Sequence, residues 1–153
     1  MDRRRLLLAA AGAVAALSTP VVAKPAAPPS IKVYKDPSCG CCGAWVDHLK
    51  SAGFTTTVEE RDDLSELKDQ LGVPSDLASC HTGVINGYAI EGHVPAADIK
   101  RLIKTRAKGK GLAVPGMPVN SPGMEMEGAP NQPYTVWLFQ ANGKRTAFAQ
   151  HGG

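Results

Sequence analysis

Three of the chain's four cysteines fall within four residues, at the junction between a predicted strand and a predicted helix. Residues 31–35 alternate apolar and polar side chains as a short strand does, and Asp36-Pro37-Ser38 ends the alternation. The cluster Cys39-Gly40-Cys41-Cys42-Gly43 then leads into a helical segment over 44–52. Its two glycines allow the backbone to curl so that several sulfur atoms converge. The sequence therefore predicts a cysteine site at the first turn of a helix that follows a strand.

Hydrophobic periodicity and turn residues predict a mixed α/β chain beyond this cluster. The predicted elements are a strand over 54–60, a helix over 64–71, a hairpin over 82–91, a helix over 95–108, and strands over 134–139 and 145–149. Asn86-Gly87 lies at the centre of the hairpin and is a strong two-residue turn signal. This order of elements predicts a thioredoxin-like fold with a mixed sheet, followed by a C-terminal β-hairpin.

Residues 109–133 form no periodic pattern and predict a long loop rich in glycine, proline and methionine. Met117, Met124 and Met126 lie in this loop. Thioether sulfur is a soft metal ligand that survives in an oxidising compartment, so the three methionines are secondary ligand candidates. The alternatives are that they pack against the core, or that the loop is a lid over the cysteines.

The first 23 residues predict a cleaved secretory signal. A basic cluster, Arg3-Arg4-Arg5, precedes an uncharged Ala/Leu-rich run over 6–17, and Val21-Val22-Ala23 provides the small residues of a cleavage site. The apolar run is short for a membrane span, so an uncleaved anchor is the weaker alternative. A twin-arginine signal is matched only loosely, which favours general secretory export to the periplasm.

Removal of a signal over 1–23 leaves a Pro-rich linker over 24–30 and one folded domain over 31–150. Lys+Arg then falls from 17 to 14 and Asp+Glu from 14 to 13, so the formal net charge falls from +3 to about +1. The basic character belongs largely to the leader, which argues against a nucleic-acid partner. No membrane association is expected once the signal is cleaved.

The position of the cysteines at a helix N-terminus favours thiolate chemistry. The unpaired N–H groups and the helix dipole stabilise a thiolate, which is both the nucleophile and the metal-binding form of cysteine. Soft thiolates favour copper(I), zinc or iron–sulfur centres over hard cations. Cys80 precedes the strand that begins near Thr82, and in a thioredoxin-like fold the loop before the third strand faces the cysteine turn. Cys80 is therefore predicted as a fourth sulfur of the site.

Three interpretations of the cysteines compete: structural disulfides, a redox-active dithiol, and a metal site, which is favoured. Copper(I) is preferred because it tolerates low coordination and bridging thiolates. A tetrahedral zinc site is the alternative. Its ligands would be Cys39, Cys42, Cys80 and His81. His81 is also a secondary copper ligand candidate, whereas His93 is predicted to cap or pack.

Several separate motifs, in order along the chain, resemble one known family. They are 33–42 (VYKDPSCGCC), 79–82 (SCHT), 91–95 (EGHVP), 111–118 (GLAVPGMP) and 121–125 (SPGME). Over about residues 31–150 the chain resembles the CopG-type periplasmic copper-resistance proteins. The resemblance implies a thioredoxin-like fold, a role in bacterial copper handling with a proposed redox role toward copper, and binding of several copper ions. The cysteines that it assigns to these ions are Cys39, Cys41, Cys42 and Cys80.

We therefore expect a periplasmic copper(I)-binding protein for copper resistance, which holds more than one ion through bridging thiolates. Its expected partners are copper ions and other periplasmic copper-handling proteins. Whether it is an enzyme, either a copper or a thiol oxidoreductase, is left open. The alternative functions are a thiol–disulfide oxidoreductase of thioredoxin-like type and a zinc-binding module.

Overall fold

The computed structural model describes residues 26–153, which form one seven-stranded mixed sheet and three α-helices. The strands are β1 (Ser30–Lys35), β2 (Thr55–Glu60), β3 (His81–Ile85), β4 (Tyr88–Gly92), β5 (Gly111–Val114), β6 (Tyr134–Phe139) and β7 (Arg145–His151). The helices are α1 (Gly40–Ser51), α2 (Ser65–Leu71) and α3 (Ala96–Thr105). The predicted signal over 1–23 and the start of the linker lie outside the described residues. Within 26–153, no helix has both the length and the apolar character that a bilayer span requires.

In the sheet, the strand order is β2-β1-β3-β4-β5-β6-β7, and several strand termini that matter for the site lie at the same end. The pairs β1–β2 and β4–β5 are parallel, and the other neighbouring pairs are antiparallel. Lys35 at the end of β1 pairs with His81 at the start of β3. Gly92 at the end of β4 pairs with Val114 at the end of β5. The segments next to these strand ends therefore meet at one end of the sheet, and the segments after β1 and before β3 carry the four cysteines.

The helices α1 and α3 cover one face of the sheet through apolar side chains at helical spacing. Trp45 and Leu49 of α1 and Ile99 and Leu102 of α3 are completely buried. Full burial of each leucine or isoleucine side chain in this set stabilises the fold by about 1.5–3 kcal/mol. Side chains that alternate along the strands form a second cluster on the opposite face, together with residues of the connection between α2 and β3. Its buried members are Val73, Leu77, Ala89, Ala113 and Phe139.

The structure confirms the α/β class and the order of the predicted elements, and β6 and β7 pair as the predicted C-terminal hairpin. The prediction of one loop over 109–133 is wrong in part, because β5 occupies Gly111–Val114 within it. All four residues of β5 are buried between β4 and β6, so the strand lacks the alternation that reveals a half-buried strand. The irregular loop is 115–133. The thioredoxin-like assignment stays a prediction.

The boundaries of two helices also differ from the sequence predictions. The helix α1 begins at Gly40 rather than at residue 44, so two cysteines lie inside its first turn. The helix α3 ends at Thr105 rather than at residue 108, because Arg106 adopts a left-handed conformation with φ 49°. Such a residue terminates a helix by turning its backbone away from the helix axis.

Candidate metal centre

The N-terminus of α1 presents three cysteines on a tight turn after β1. Cys39 is the N-cap with an extended backbone, and Cys41 and Cys42 lie in the first turn of the helix. The Cys39 N–H donates to the Asp36 carbonyl at 3.1 Å, and the Ser38 N–H donates to the Asp36 carboxylate at 2.7 Å. These bonds hold the turn, so that its sulfurs lie at the positive end of the helix dipole.

The fold brings the fourth cysteine to this turn. The sulfur atoms of Cys39, Cys41, Cys42 and Cys80 all lie within 4.8 Å of one another. Cys39 and Cys42 form a disulfide, whereas Cys41 and Cys80 are free and half-buried. The Cys41 sulfur lies 3.6 Å from the Cys39 sulfur. The geometry that the sequence predicted for Cys80 is therefore present, although coordination by these cysteines stays a prediction.

Two buried histidines lie close to the Cys80 sulfur. The sulfur lies 3.3 Å from His81 Nδ1 and 3.5 Å from His93 Nε2. The other ring nitrogens donate to backbone carbonyls, His81 Nε2–H to Gly92 at 2.9 Å and His93 Nδ1–H to Pro122 at 2.8 Å. A carbonyl only accepts hydrogen bonds, so these contacts assign the tautomers. Each neutral imidazole therefore turns its lone pair toward Cys80, as metal-ligating histidines do.

The protonation states in the metal-free protein follow from burial. Burial lowers the pKa of His81 to about 3, and the neighbouring His93 adds to this effect. Burial also lowers the pKa of His93, so both rings are neutral at pH 7. Burial raises the pKa of Cys80 to about 11, with a further contribution from Cys41. A metal ion that binds Cys80 must therefore displace its proton.

The sequence predicts that His93 caps or packs, and His93 is completely buried. Its Nε2 also lies 3.5 Å from the Cys80 sulfur, so it joins His81 as a candidate ligand. The hairpin register pairs Thr82 with Glu91, and the same register continued outward sets Cys80 opposite His93. The Asn86-Gly87 turn determines that register, because a two-residue turn fixes which residues face each other. The turn was therefore the signal in the sequence that could have identified His93.

The methionine-containing loop lies against the cysteine turn through a few close contacts. The Met117 thioether lies 4.0 Å from the Cys41 thiol and is 44% exposed. Gly123 packs so closely on α1 that an added Cβ would lie 2.7 Å from the Trp45 backbone nitrogen. Among residues 26–153, Met117 is the one methionine with a thioether–thiol contact to the cluster. Met124 is half-buried and Met126 is 55% exposed.

The donor set suits a soft metal ion. Four cysteine sulfurs lie together, two imidazole nitrogens contact one of them and a thioether contacts another, and such donors favour copper(I) over hard cations. The sulfurs of a disulfide are not thiolates, so Cys39 and Cys42 become ligands only when the disulfide is reduced. The arrangement can therefore bind metal and can exchange electrons at the same place.

Comparison with known proteins places the chain beside two solved structures. One, described as "Copper resistance protein copG- Form 1", is 48% identical with a TM-score of 0.77, and the match covers 82% of this chain and 99% of that one. The other, described as "Copper resistance protein copG- Form 2", is 47% identical with a TM-score of 0.76, and the match covers 81% and 98%. A family described as "Protein of unknown function, DUF411" matches residues 77–124, which include Cys80, both buried histidines and Met117. No curated protein matches the chain.

Proposed function

The chain belongs to the CopG family of copper resistance proteins, and we propose that it serves copper resistance by binding copper(I) as cargo at its cysteine cluster. The proposed ligands are Cys39, Cys41, Cys42 and Cys80, with His81, His93 and Met117 as further donors. One observation carries the proposal: four sulfurs lie within 4.8 Å of one another, and one of them, that of Cys80, also contacts two oriented imidazoles. Met124 and Met126 are retained as auxiliary candidates, because they lie in the loop that covers the site.

The site is proposed to hold more than one copper(I) ion. Copper(I) binds two to four soft ligands, and sulfurs within 4.8 Å of one another can bridge neighbouring ions. Four sulfurs cannot provide each of several ions with a separate set of ligands. Bridging thiolates therefore follow from the compactness of the cluster.

The signal-like segment over 1–23 supports export to the periplasm, where the proposed partners are other copper-handling proteins. A Cys-rich site in that oxidising compartment needs a source of electrons to keep Cys39 and Cys42 reduced. Reduced partner proteins of the same compartment are proposed as that source.

An anaerobic titration of the reduced mature protein with copper(I), in competition with a chromogenic chelator, tests this function. We expect more than one copper(I) per chain, and loss of this binding when all four cysteines are replaced by serine. Ser51→Ala is the control, because it changes an exposed serine at the end of α1 and leaves every proposed ligand in place. Equal binding by the wild-type chain and the four-serine variant would refute the proposal. One zinc per chain in protein purified without added copper would favour the zinc alternative.

A second function, thiol–disulfide exchange, is favoured by the Cys39–Cys42 disulfide at the N-terminus of α1. Reduction of this bond takes up two electrons and two protons, and its formation releases them. Formation of the disulfide can therefore reduce two copper(II) ions to copper(I), which links redox chemistry to copper binding. Disulfide reductase activity that survives in a Cys41→Ser, Cys80→Ser variant would support a thiol oxidoreductase. Loss of activity in that variant would tie electron transfer to the full cluster.

A further inference from the structure

A buried ion pair lies directly behind the segment that carries Cys80. Glu91 of β4 is completely buried, and it forms a salt bridge with Lys68 of α2, whose side chain is 13% exposed. The Glu91 carboxylate also accepts hydrogen bonds from the Ser79 N–H at 2.6 Å and the Thr82 hydroxyl at 2.7 Å. Lys68 Nζ donates to the Ser79 carbonyl at 3.1 Å and to Thr82 Oγ1 at 2.8 Å. All four of these hydrogen bonds involve Ser79 or Thr82, the residues on either side of Cys80 and His81.

Fold stability alone is a weak reason for this pair. Burying two charges carries a desolvation cost. Replacing a buried pair by well-packed hydrophobic residues of similar volume often leaves the stability unchanged or increases it. Burial raises the pKa of Glu91, and the Lys68 ammonium opposes that rise. Fold stability therefore does not by itself account for this charged pair. Its distinctive property is the set of directed hydrogen bonds to the 79–82 segment.

We propose that Lys68 and Glu91 are positioning residues for Cys80, an inference that rests on the proposed copper function. The pair holds the Ser79 residue at both its N–H and its carbonyl, so the backbone leading into Cys80 has one orientation. Thr82 fixes the other side of the same segment. The Cys80 sulfur is thereby kept between the cysteine turn and the two imidazoles. The ion pair acts through the backbone of the 79–82 segment.

The metal-free protein with its disulfide intact offers a direct test, because its two free thiols are Cys41 and Cys80. The variant Lys68→Met, Glu91→Gln removes both charges at nearly constant volume. We expect the alkylation rate of Cys80 by iodoacetamide to rise relative to that of Cys41, which serves as the internal reference. The matched control is Lys32→Met, Glu59→Gln, which makes the same two substitutions in an exposed ion pair of β1 and β2, so we expect the wild-type ratio for it. Peptide mass spectrometry measures both rates.

Copper binding provides the second readout, on reduced protein. Loss of groups that orient metal ligands lowers metal affinity by roughly 10–100-fold, and we expect a loss of this size for the double variant. In a Cys80→Ser background the same double variant should cause no further loss, because the residue that it positions is absent. A loss of equal size in both backgrounds would overturn the proposal, since the pair would then act on the fold as a whole. An unchanged alkylation ratio would also overturn it.

The proposal stays testable if the wild-type chain binds no copper(I) or if the double variant does not fold. If the wild-type chain binds no copper(I), the proposed function fails, while the alkylation ratio still decides whether the pair positions Cys80. If the double variant does not fold, Glu91→Gln alone replaces it, because Lys68 retains some contact with solvent. An alkylation ratio and a copper affinity equal to those of the wild type in Glu91→Gln would then overturn the proposal.

Discussion

Gly123 lies where the 115–133 loop meets the first turn of α1, and its replacement by alanine tests whether this contact supports the site. An added Cβ would lie 2.7 Å from the Trp45 nitrogen and 3.0 Å from the Cys41 carbonyl oxygen. Both are backbone atoms of a packed helix, so the loop rather than the helix must move. Gly123 also has φ +88°, a conformation that side chains with a Cβ disfavour. Alanine therefore meets two separate obstacles at this position.

Each obstacle lowers the free energy of unfolding. A left-handed conformation costs an alanine about 1–2 kcal/mol. Overpacking against fixed atoms adds about 1–3 kcal/mol. We therefore expect Gly123→Ala to lower the free energy of unfolding by about 2–5 kcal/mol, unless the loop lifts from α1. Lifting would withdraw the Pro122 carbonyl from His93 Nδ1, so in that case copper(I) affinity would fall instead.

Gly128→Ala is the matched control within the same loop. Gly128 has φ +76°, yet an added Cβ there meets nothing within 4 Å. It should therefore show only the conformational cost, about 1–2 kcal/mol, and wild-type copper affinity. Urea unfolding of the metal-free protein and chelator competition on the reduced protein measure the two quantities. Equal destabilisation by the two substitutions, with equal copper affinity, would refute the inferred contact between this loop and α1.

Three further predictions concern the metal-free protein. The pKa of His81 is about 3 in the folded chain and near 6.5 when unfolded, so acid favours unfolding. The free energy of unfolding should fall by about 1.4 kcal/mol per pH unit below 6.5. In urea titrations from pH 7 to 5, this free energy should depend less steeply on pH for His81→Asn. Trp45→Phe removes the indole N–H that donates to the Val94 carbonyl at 2.9 Å and should cost about 1–3 kcal/mol by urea unfolding; no loss would contradict that bond. Reduction of the Cys39–Cys42 disulfide, which closes a loop with a sequence separation of only 3, should cost at most about 2 kcal/mol by calorimetry; global unfolding on reduction would contradict this.

Much of the fold could be predicted because its elements carry local signals. The alternation in β1, the helical spacing of the apolar residues in α3 and the Asn86-Gly87 turn are each visible within a few residues. The strand β5 could not be identified in this way. It is short, and both of its faces are buried, so its burial depends on β4 and β6 rather than on its own pattern.

The candidate site also combines residues that local signals predict with residues that only strand pairing brings together. The Cys39–Cys42 cluster and its place at a helix start are local, so its soft-donor chemistry could be predicted. The sequence predicts that His93 caps or packs, because it lies between the hairpin and the helix α3. Only the pairing of β3 with β4 sets it opposite Cys80. Even so, the turn that fixes this pairing was visible in the sequence.

By itself, the sequence determined the chemical character of this protein: soft sulfur donors at the N-terminus of a helix. Only the tertiary structure decided which donors share one site. Cys41 and Met117 are 76 residues apart in sequence, yet their sulfurs lie 4.0 Å apart. Cys80 and the two imidazoles converge because strand register and a packed loop bring them together. Local periodicity records which face of an element is buried, whereas contacts between distant segments depend on how whole elements pack.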